Sequence, residues 1–321
     1  MPEFSQDELR RIQKNLRHRF HDLDPDNVID LGVGAAIKSN RFDNARRKAI
    51  CFYVQQKRRR PSKARRIPPS VSFKIQRGGQ RSTFELPTDV IAVGNIRASG
   101  SQVQCRGRKF VIGCRVGWQV RADRQDQNAW LTVGHPIPIE KGRAASGLEI
   151  ESDDEIIRGP VSVLAKSRSG SSFDSALLAP AGFSRVSALR MHRVTGENLD
   201  IASLDSLRAS VGQIGYLLRP KRKTRIRIQS LLPSLRIPEL GTIVNVLAAL
   251  GPVGTFAHGT SGSVWAIDDD PTGLQIAAST AGFRLGFSQT ITSTLVWAET
   301  ALQNHHPAGI HPESFKLIEI F

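Results

Sequence analysis

The stretch Gly254–Trp265 reads Gly-Thr-Phe-Ala-His-Gly-Thr-Ser-Gly-Ser-Val-Trp and sets Ser261 at the tip of a Gly/Thr/Ser turn between two apolar runs, Thr242–Leu250 and Ser263–Ile267. Glycine lets backbone N–H groups turn inward with no Cβ in the way. With Gly259 and Gly262 around the serine, main-chain donors can converge on one point, as the oxyanion of an acyl transfer requires. A lone serine hydroxyl is a poor nucleophile; it needs a base, and the base needs a group to orient it. His135 supplies the first candidate, at the end of the apolar run Trp130–Val133 and just after Gly134. Asp174 supplies the second, just ahead of the run Ala176–Leu178. A carboxylate at such an edge is partly buried and must find a partner.

The elements that would carry these residues are mostly strands. Short runs at Val71–Ile75, Phe84–Val93, Gln102–Gln104, Lys109–Ile112, Arg115–Val120, Ala129–Val133, Ile156–Ala165 and Ser175–Leu178 are broken by turn residues. The pattern continues through Gly215–Leu218, Arg225–Leu231, Thr242–Leu250, Ser263–Ile267 and Leu274–Ser279. Many short strands at this spacing predict an all-β barrel or sandwich. Two further strands, Asn27–Ile37 and Ala49–Gln55, precede them. Ser5–Leu23 reads as a helix, with Ser5 and Glu8 in capping-box positions and Leu9, Ile12, Leu16 and Phe20 on one stripe. Helix is expected again only at Thr290–Asn304, after which the tail His305–Phe321 has an apolar end suited to tucking onto the body.

Three blocks in this order resemble the trypsin-like serine proteases. Leu131-Thr132-Val133-Gly134-His135 is similar to their Leu-Thr-Ala-Gly-His block, Phe173-Asp174-Ser175-Ala176-Leu177-Leu178 to their Asp-x-Ala-Leu-Leu block, and Gly259-Thr260-Ser261-Gly262-Ser263 to their Gly-Asp-Ser-Gly block. The resemblance covers residues 86–304. Upstream, Val28–Lys38, Cys51–Lys57 and Leu86–Val90 are similar to the N-terminal module of bacterial trypsin-like proteins without a signal peptide. It implies a mainly β fold of two antiparallel β-barrels, with an N-terminal α/β extension and a C-terminal helix. The implied divisions are an extension over 1–85, a first barrel over 86–195 carrying His135 and Asp174, a second barrel and helix over 196–304 carrying Ser261, and a tail over 305–321. It implies a serine endopeptidase that needs no cofactor and acts on protein or peptide. Ser261 would be the nucleophile, His135 the general base and acid, Asp174 the group that fixes the imidazole, and the N–H groups of Gly259 and Ser261 the oxyanion hole. Thr255 would lie at the base of the substrate pocket, uncharged and so unsuited to selecting Lys or Arg, with Ser279, Thr280, Ala281 and Gly282 as the other wall. Thr260 stands where the family has an Asp that receives a freed amino terminus, which speaks against activation by that route. Pro136 and the lack of disulfides fit an intracellular relative.

Composition narrows the alternatives. The 321 residues carry a net charge of +16, with a hydrophobic content of 40% that supports a packed core. Seven of the ten residues Lys57–Arg66 and six of the nine residues Arg219–Arg227 are basic. Two readings of these clusters stand: solvated basic loops and a strand face, or contacts to nucleic acid or an acidic protein through Lys57, Arg58, Arg59, Arg60, Arg65, Arg66, Arg219, Lys221, Arg222 and Lys223. The second supports a different class of function, a catalytically degenerate scaffold. No apolar run is long enough to span a membrane, and the polar N-terminus lacks a secretory signal, so a cytoplasmic location is expected. Cys51, Cys105 and Cys114 are too few for a disulfide framework and are expected reduced, although Cys105 and Cys114 could face each other across a hairpin. Gly32-Val33-Gly34 lacks the third glycine and following helix of a dinucleotide site. Strand-like sequence after Ser261 excludes an α/β-hydrolase. His258 is read as structural beside the turn, and His192 as a surface residue. His305, His306 and His311 have no ligand partners at metal-binding spacing, and Asp268-Asp269-Asp270 reads as a hairpin turn.

Overall fold

The computed structural model describes residues 4–20, 22–38, 41–42, 48–59, 61–98, 113–121, 126–137, 139–140, 143–144, 149–151, 156–158, 161–168, 170–180, 204–219, 222–257, 259–280, 284–305, 309–311 and 315–320. The chain opens with helix α1 (Gln6–Phe20). Its first turn is closed by a reciprocal cap: Ser5 N–H donates to Glu8 Oε2 at 2.7 Å, and Glu8 N–H donates to Ser5 Oγ at 3.2 Å. Leu9, Ile12, Leu16 and Phe20 are buried against strands β1 (Val28–Ala35), β2 (Lys48–Val54), β3 (Ser70–Arg77) and β4 (Gln80–Ala92). β1 and β2 are antiparallel, β2 and β4 parallel, and β3 and β4 form a hairpin turning on Gly78 and Gly79. The expected division at residue 85 falls inside β4, and β1 pairs onward at Gly34–Ser230, so these strands belong to one 11-stranded sheet.

After β5 (Ile96–Ala98) comes a separate five-stranded antiparallel sheet. It holds β6 (Cys114–Gln119), β7 (Asp126–Thr132), β8 (Val161–Lys166), β9 (Ala176–Pro180) and β16 (Lys316–Ile320), in the order β8-β9-β7-β6-β16. The apolar tail thus joins the sheet as an edge strand. The run expected over Ile156–Ala165 is two strands, Ile156–Arg158 and β8, and only β8 enters this sheet. The runs expected at 102–104 and 109–112, and Cys105, lie outside the described residues.

A short helix, α2 (Leu204–Ala209), interrupts the expected run of strands; six residues are too few to show a helical stripe in sequence. Then follow β10 (Ile214–Arg219), β11 (Arg222–Ile237), β12 (Gly241–Leu250), β13 (Val264–Ile267), β14 (Asp270–Ser279) and β15 (Leu285–Thr290), and helix α3 (Ile291–His305). Their pairings run β10-β13-β14-β15-β12-β11 and return to β10, closing a ring. β5 adds to β14 outside it. β11 runs beyond the expected Leu231 and through Pro233, which a strand tolerates where its N–H would face no neighbour. Asp268 and Asp269 turn the β13–β14 hairpin at positive φ, 49° and 70°, and Lys223 Nζ sits 3.0 Å from Asp269 Oδ1. No helix among the described residues is long and apolar enough to cross a membrane.

Candidate functional site

Strand pairing brings the first two residues together. Thr132 of β7 lies opposite Ala176 of β9. His135 follows three residues after Thr132, and Asp174 precedes Ala176 by two, so both emerge at the same end of adjacent strands. Asp174 Oδ1 accepts N–H donors from Gly134 at 3.0 Å and His135 at 2.8 Å, while Oδ2 lies 2.6 Å from His135 Nδ1. A Cβ on Gly134 would stand 3.0–3.1 Å from Ser167 Oγ, Ser175 O and Asp174 Oδ1, so glycine is what admits the carboxylate so closely. The Asp174 backbone is fixed in turn: its N–H donates to Gln289 Oε1 at 3.1 Å. Beside it, Ser175 N–H donates to Ser167 Oγ at 2.9 Å.

The hydroxyl comes from the ring. Ser261 Oγ lies 2.9 Å from His135 Nε2. A carboxylate, an imidazole and a hydroxyl therefore stand in one hydrogen-bonded line. The turn is rigid on both sides of the serine. Thr260 N–H and Oγ1 both donate to Ala257 O, at 3.3 and 2.9 Å, and Gly262 N–H donates to Gln275 O at 3.0 Å. Thr260 thus spends its hydroxyl on the turn itself. Gly259 and Gly262 have φ of 88° and 86°, a region L side chains avoid. Among the described residues, neither Gly259 N–H nor Ser261 N–H donates a hydrogen bond. Those are the two amides that the resemblance to trypsin-like proteases implies for an oxyanion.

The line is well covered. The His135 and Asp174 side chains are 10% and 5% exposed, and Ser261 is 0% exposed. Of the residues expected to form a pocket, Thr255 is buried against Gly251, Ser279 is buried with its hydroxyl donating to Val93 O, and Thr280 is exposed with its N–H donating to Asn95 O at 3.0 Å. Ala281, Gly282 and His258 lie outside the described residues. Phe256, which the sequence did not mark, is buried beside this loop. Its ring rests on Gly286, where a Cβ would come within 2.3 Å, and lies 5.5 Å from the Trp265 ring. Gln289 and Ser167 were also missed. Buried polar residues on strands look like solvent-facing ones until the fold places them.

Of the three cysteines, Cys51 and Cys114 are buried free thiols; burial raises the Cys51 thiol to about 12 and lifts Cys114 further still. No cluster of three metal-ligating side chains occurs among the described residues.

No protein-family model matches the chain, and no curated protein does. Solved structures of three proteases are distantly similar to it. Thermobifida fusca protease A aligns at a TM-score of 0.42 and 15% identity over 67% of this chain and 93% of its own. Nocardiopsis protease gives 0.40 and 15% over 60% and 92%. The Rv3671c protease in its inactive form gives 0.32 and 14% over 56% and 85%. At that distance, the roles of individual residues rest on this chain's own geometry.

Proposed function

We propose that the chain is a serine endopeptidase of the trypsin-like kind, in which the closed ring of β10–β15 and the sheet of β6–β9 act as two barrels flanking the site. The observation that supports this reading is the unbroken line from Asp174 Oδ2 through His135 to Ser261 Oγ, with steps of 2.6 and 2.9 Å. Ser261 Oγ attacks a peptide carbonyl as its proton passes to His135 Nε2. The tetrahedral oxygen rests on the Gly259 and Ser261 amides, and collapse expels the amine, which takes the proton back from His135. Water then hydrolyses the acyl-enzyme by the same relay. Asp174 holds the imidazole in the tautomer that accepts at Nε2. Loss of one oxyanion donor costs roughly 10²- to 10³-fold in rate. Ser261 has no exposed surface, so a polypeptide reaches it only after its surroundings shift, and the resting protein is slow. A fluorophosphonate probe tests the proposal. Labelling of the wild-type chain that disappears in Ser261→Ala supports it, and no labelling at any protein or probe concentration ends it.

The same burial favours a second reading: a catalytically silent scaffold that binds nucleic acid or an acidic protein. Arg222, Lys223 and Arg225 are exposed along β11, as are Lys57, Arg58, Arg59, Arg65 and Arg66 in the loop before β3. Part of the loop's charge is spent internally, with Arg58 and Arg65 each within 3.5 Å of Asp24. Arg60 and Lys221 lie outside the described residues, and Arg219 is half-buried. RNA or DNA binding whose affinity falls steeply with salt supports this reading, because phosphate contacts release counterions. A flat salt response removes it.

A further inference from the structure

The ring and the N-terminal sheet are joined by a single paired position, Gly34–Ser230. Around it β1 and β11 are pressed together: a Cβ on Gly34 would lie 2.6 Å from Gln229 O, and one on Gly32 would lie 3.0 Å from Leu232 Cδ2. Beyond it the strands part, and helix α1 crosses the fork. Gln13 Nε2 donates to Leu231 O at 2.9 Å, standing in for the missing strand partner. Arg17 donates to Ser234 Oγ and lies 3.5 Å from Asp30 Oδ2, reaching both strands at once. Past Arg17 the fork widens into a cleft of about 920 Å³. One wall is Asn27–Leu31 of β1 and its approach; the other is Ser234–Ile237 of β11. Among the described residues neither edge carries a strand partner on the cleft side.

We propose that this cleft is a groove for an extended polypeptide segment bearing a carboxylate, which adds to the sheet as a strand between β1 and β11. An extended peptide laid between two facing strand edges bonds to the main-chain groups still open there; Leu31 N–H is not one of them, since it donates to Asp30 Oδ1 at 2.7 Å, and Pro233 has no N–H to offer. Ile29, Ile96 and Ile237 line the cleft for alternate apolar side chains. Charge selects the rest. Asp30 is met by Arg17 and Asp26 by Arg65 at 3.4 Å. Arg236 is exposed, lines the cleft and has no ion-pair partner among the described residues, so the uncompensated charge facing the segment is positive.

The groove also touches the supports of the candidate site. Gly170, on its wall, donates its N–H to Leu240 O at 3.2 Å, and Val244 N–H donates to Ser172 O at 3.1 Å, two residues before Asp174. At the other end, Val93 and Asn95 hold Ser279 and Thr280. An occupant therefore leans on the segments that place Asp174 and the Ser279–Thr280 wall. This regulatory consequence rests on the hydrolase reading; the binding does not.

Full-length Ser261→Ala protein, which cannot cleave, is titrated with a fluorescein-labelled pool of octapeptides alternating Val and Thr around one central Asp. Saturable binding is expected. Methylating alternate backbone amides weakens it at least about tenfold, and so does replacing the Asp by Lys. Arg236→Glu reverses the Asp-over-Lys preference. Thr242→Trp, made at an exposed position on the cleft wall, abolishes binding while the circular dichroism spectrum stays unchanged. No binding, binding indifferent to both amide methylation and Thr242→Trp, or preference for an oligonucleotide at a Thr242→Trp-sensitive site overturns the proposal. Fluorophosphonate labelling of the wild-type chain, with and without the pool, reads the regulatory consequence separately. Peptide binding without any labelling leaves the groove standing and removes the hydrolase alone.

Discussion

Two seams cross this molecule, and they are closed to different degrees. At the candidate site, the open sheet and the ring meet through side chains: Asp174 and His135 from one, Ser261 from the other, hydrogen-bonded in line with no exposed serine surface. Between the ring and the N-terminal sheet, strand pairing is limited to one position, with two glycines that permit it; side chains such as Gln13, Arg17 and Tyr53 bridge the rest, and then comes a gap. The first seam is complete but covered, and the second is accessible but unfinished. A groove that must bind in extended form needs free main-chain edges, whereas a line of three side chains needs its elements locked. The same ring strands supply both.

Substitutions at each seam separate these two kinds of closure. The largest effect is expected at the first. Asp174→Asn removes the negative charge behind His135 and favours the wrong tautomer, and fluorophosphonate labelling should slow by about 10⁴-fold; an unchanged rate would mean that the line is structural only. At the second seam, Gly34→Val drives a side chain into Gln229 O and should lower unfolding free energy in urea by about 1–3 kcal/mol. Gly78→Asn, in a turn with positive φ and open space around it, serves as the control and should change stability by less than about 0.5 kcal/mol. Gln13→Leu leaves the Leu231 carbonyl without its donor, at a cost of about 1–3 kcal/mol in the same measurement. The smallest effect concerns the angle of α1 over the fork. Hydrogen bonds from Arg77 hold the Glu8 carboxyl down to about 2. Because the folded value lies below the unfolded one, this stabilisation is present above the ordinary carboxylate range and is lost as pH falls toward 2. The Tm difference between wild type and Glu8→Gln should be full at neutral pH and vanish near pH 2; a gap that persists in acid would place the effect elsewhere.

What could be read in advance was local. The cap at Ser5 and Glu8, the stripe of α1, the alternation in β3, and the apolar runs ahead of His135 and behind Asp174 depend on neighbours in sequence. Helix α3 was placed within a residue of its true limits for the same reason. What escaped depends on distant partners. β15 holds Ser288, Gln289 and Thr290, all buried, and their polarity hid one of the ring's own strands. Gln289 could not be recognised as the acceptor for Asp174 N–H without knowing which strand lies beneath that loop. The run expected over Arg225–Leu231 continues as β11 to Ile237, through Pro233, where an open edge makes no demand on the missing N–H. Nor did spacing reveal that Ser261 is covered.

The pairing of Gly34 with Ser230 also bears on how the chain reaches its native state. The N-terminal hairpin and the capped helix draw on short-range contacts and can form quickly. Their attachment to the ring must wait for a strand from the far half of the chain, and closing so long a loop is costly before any contact rewards it. Refolding should therefore show early helix signal followed by a slower docking phase, with Gly34→Val retarding only the latter.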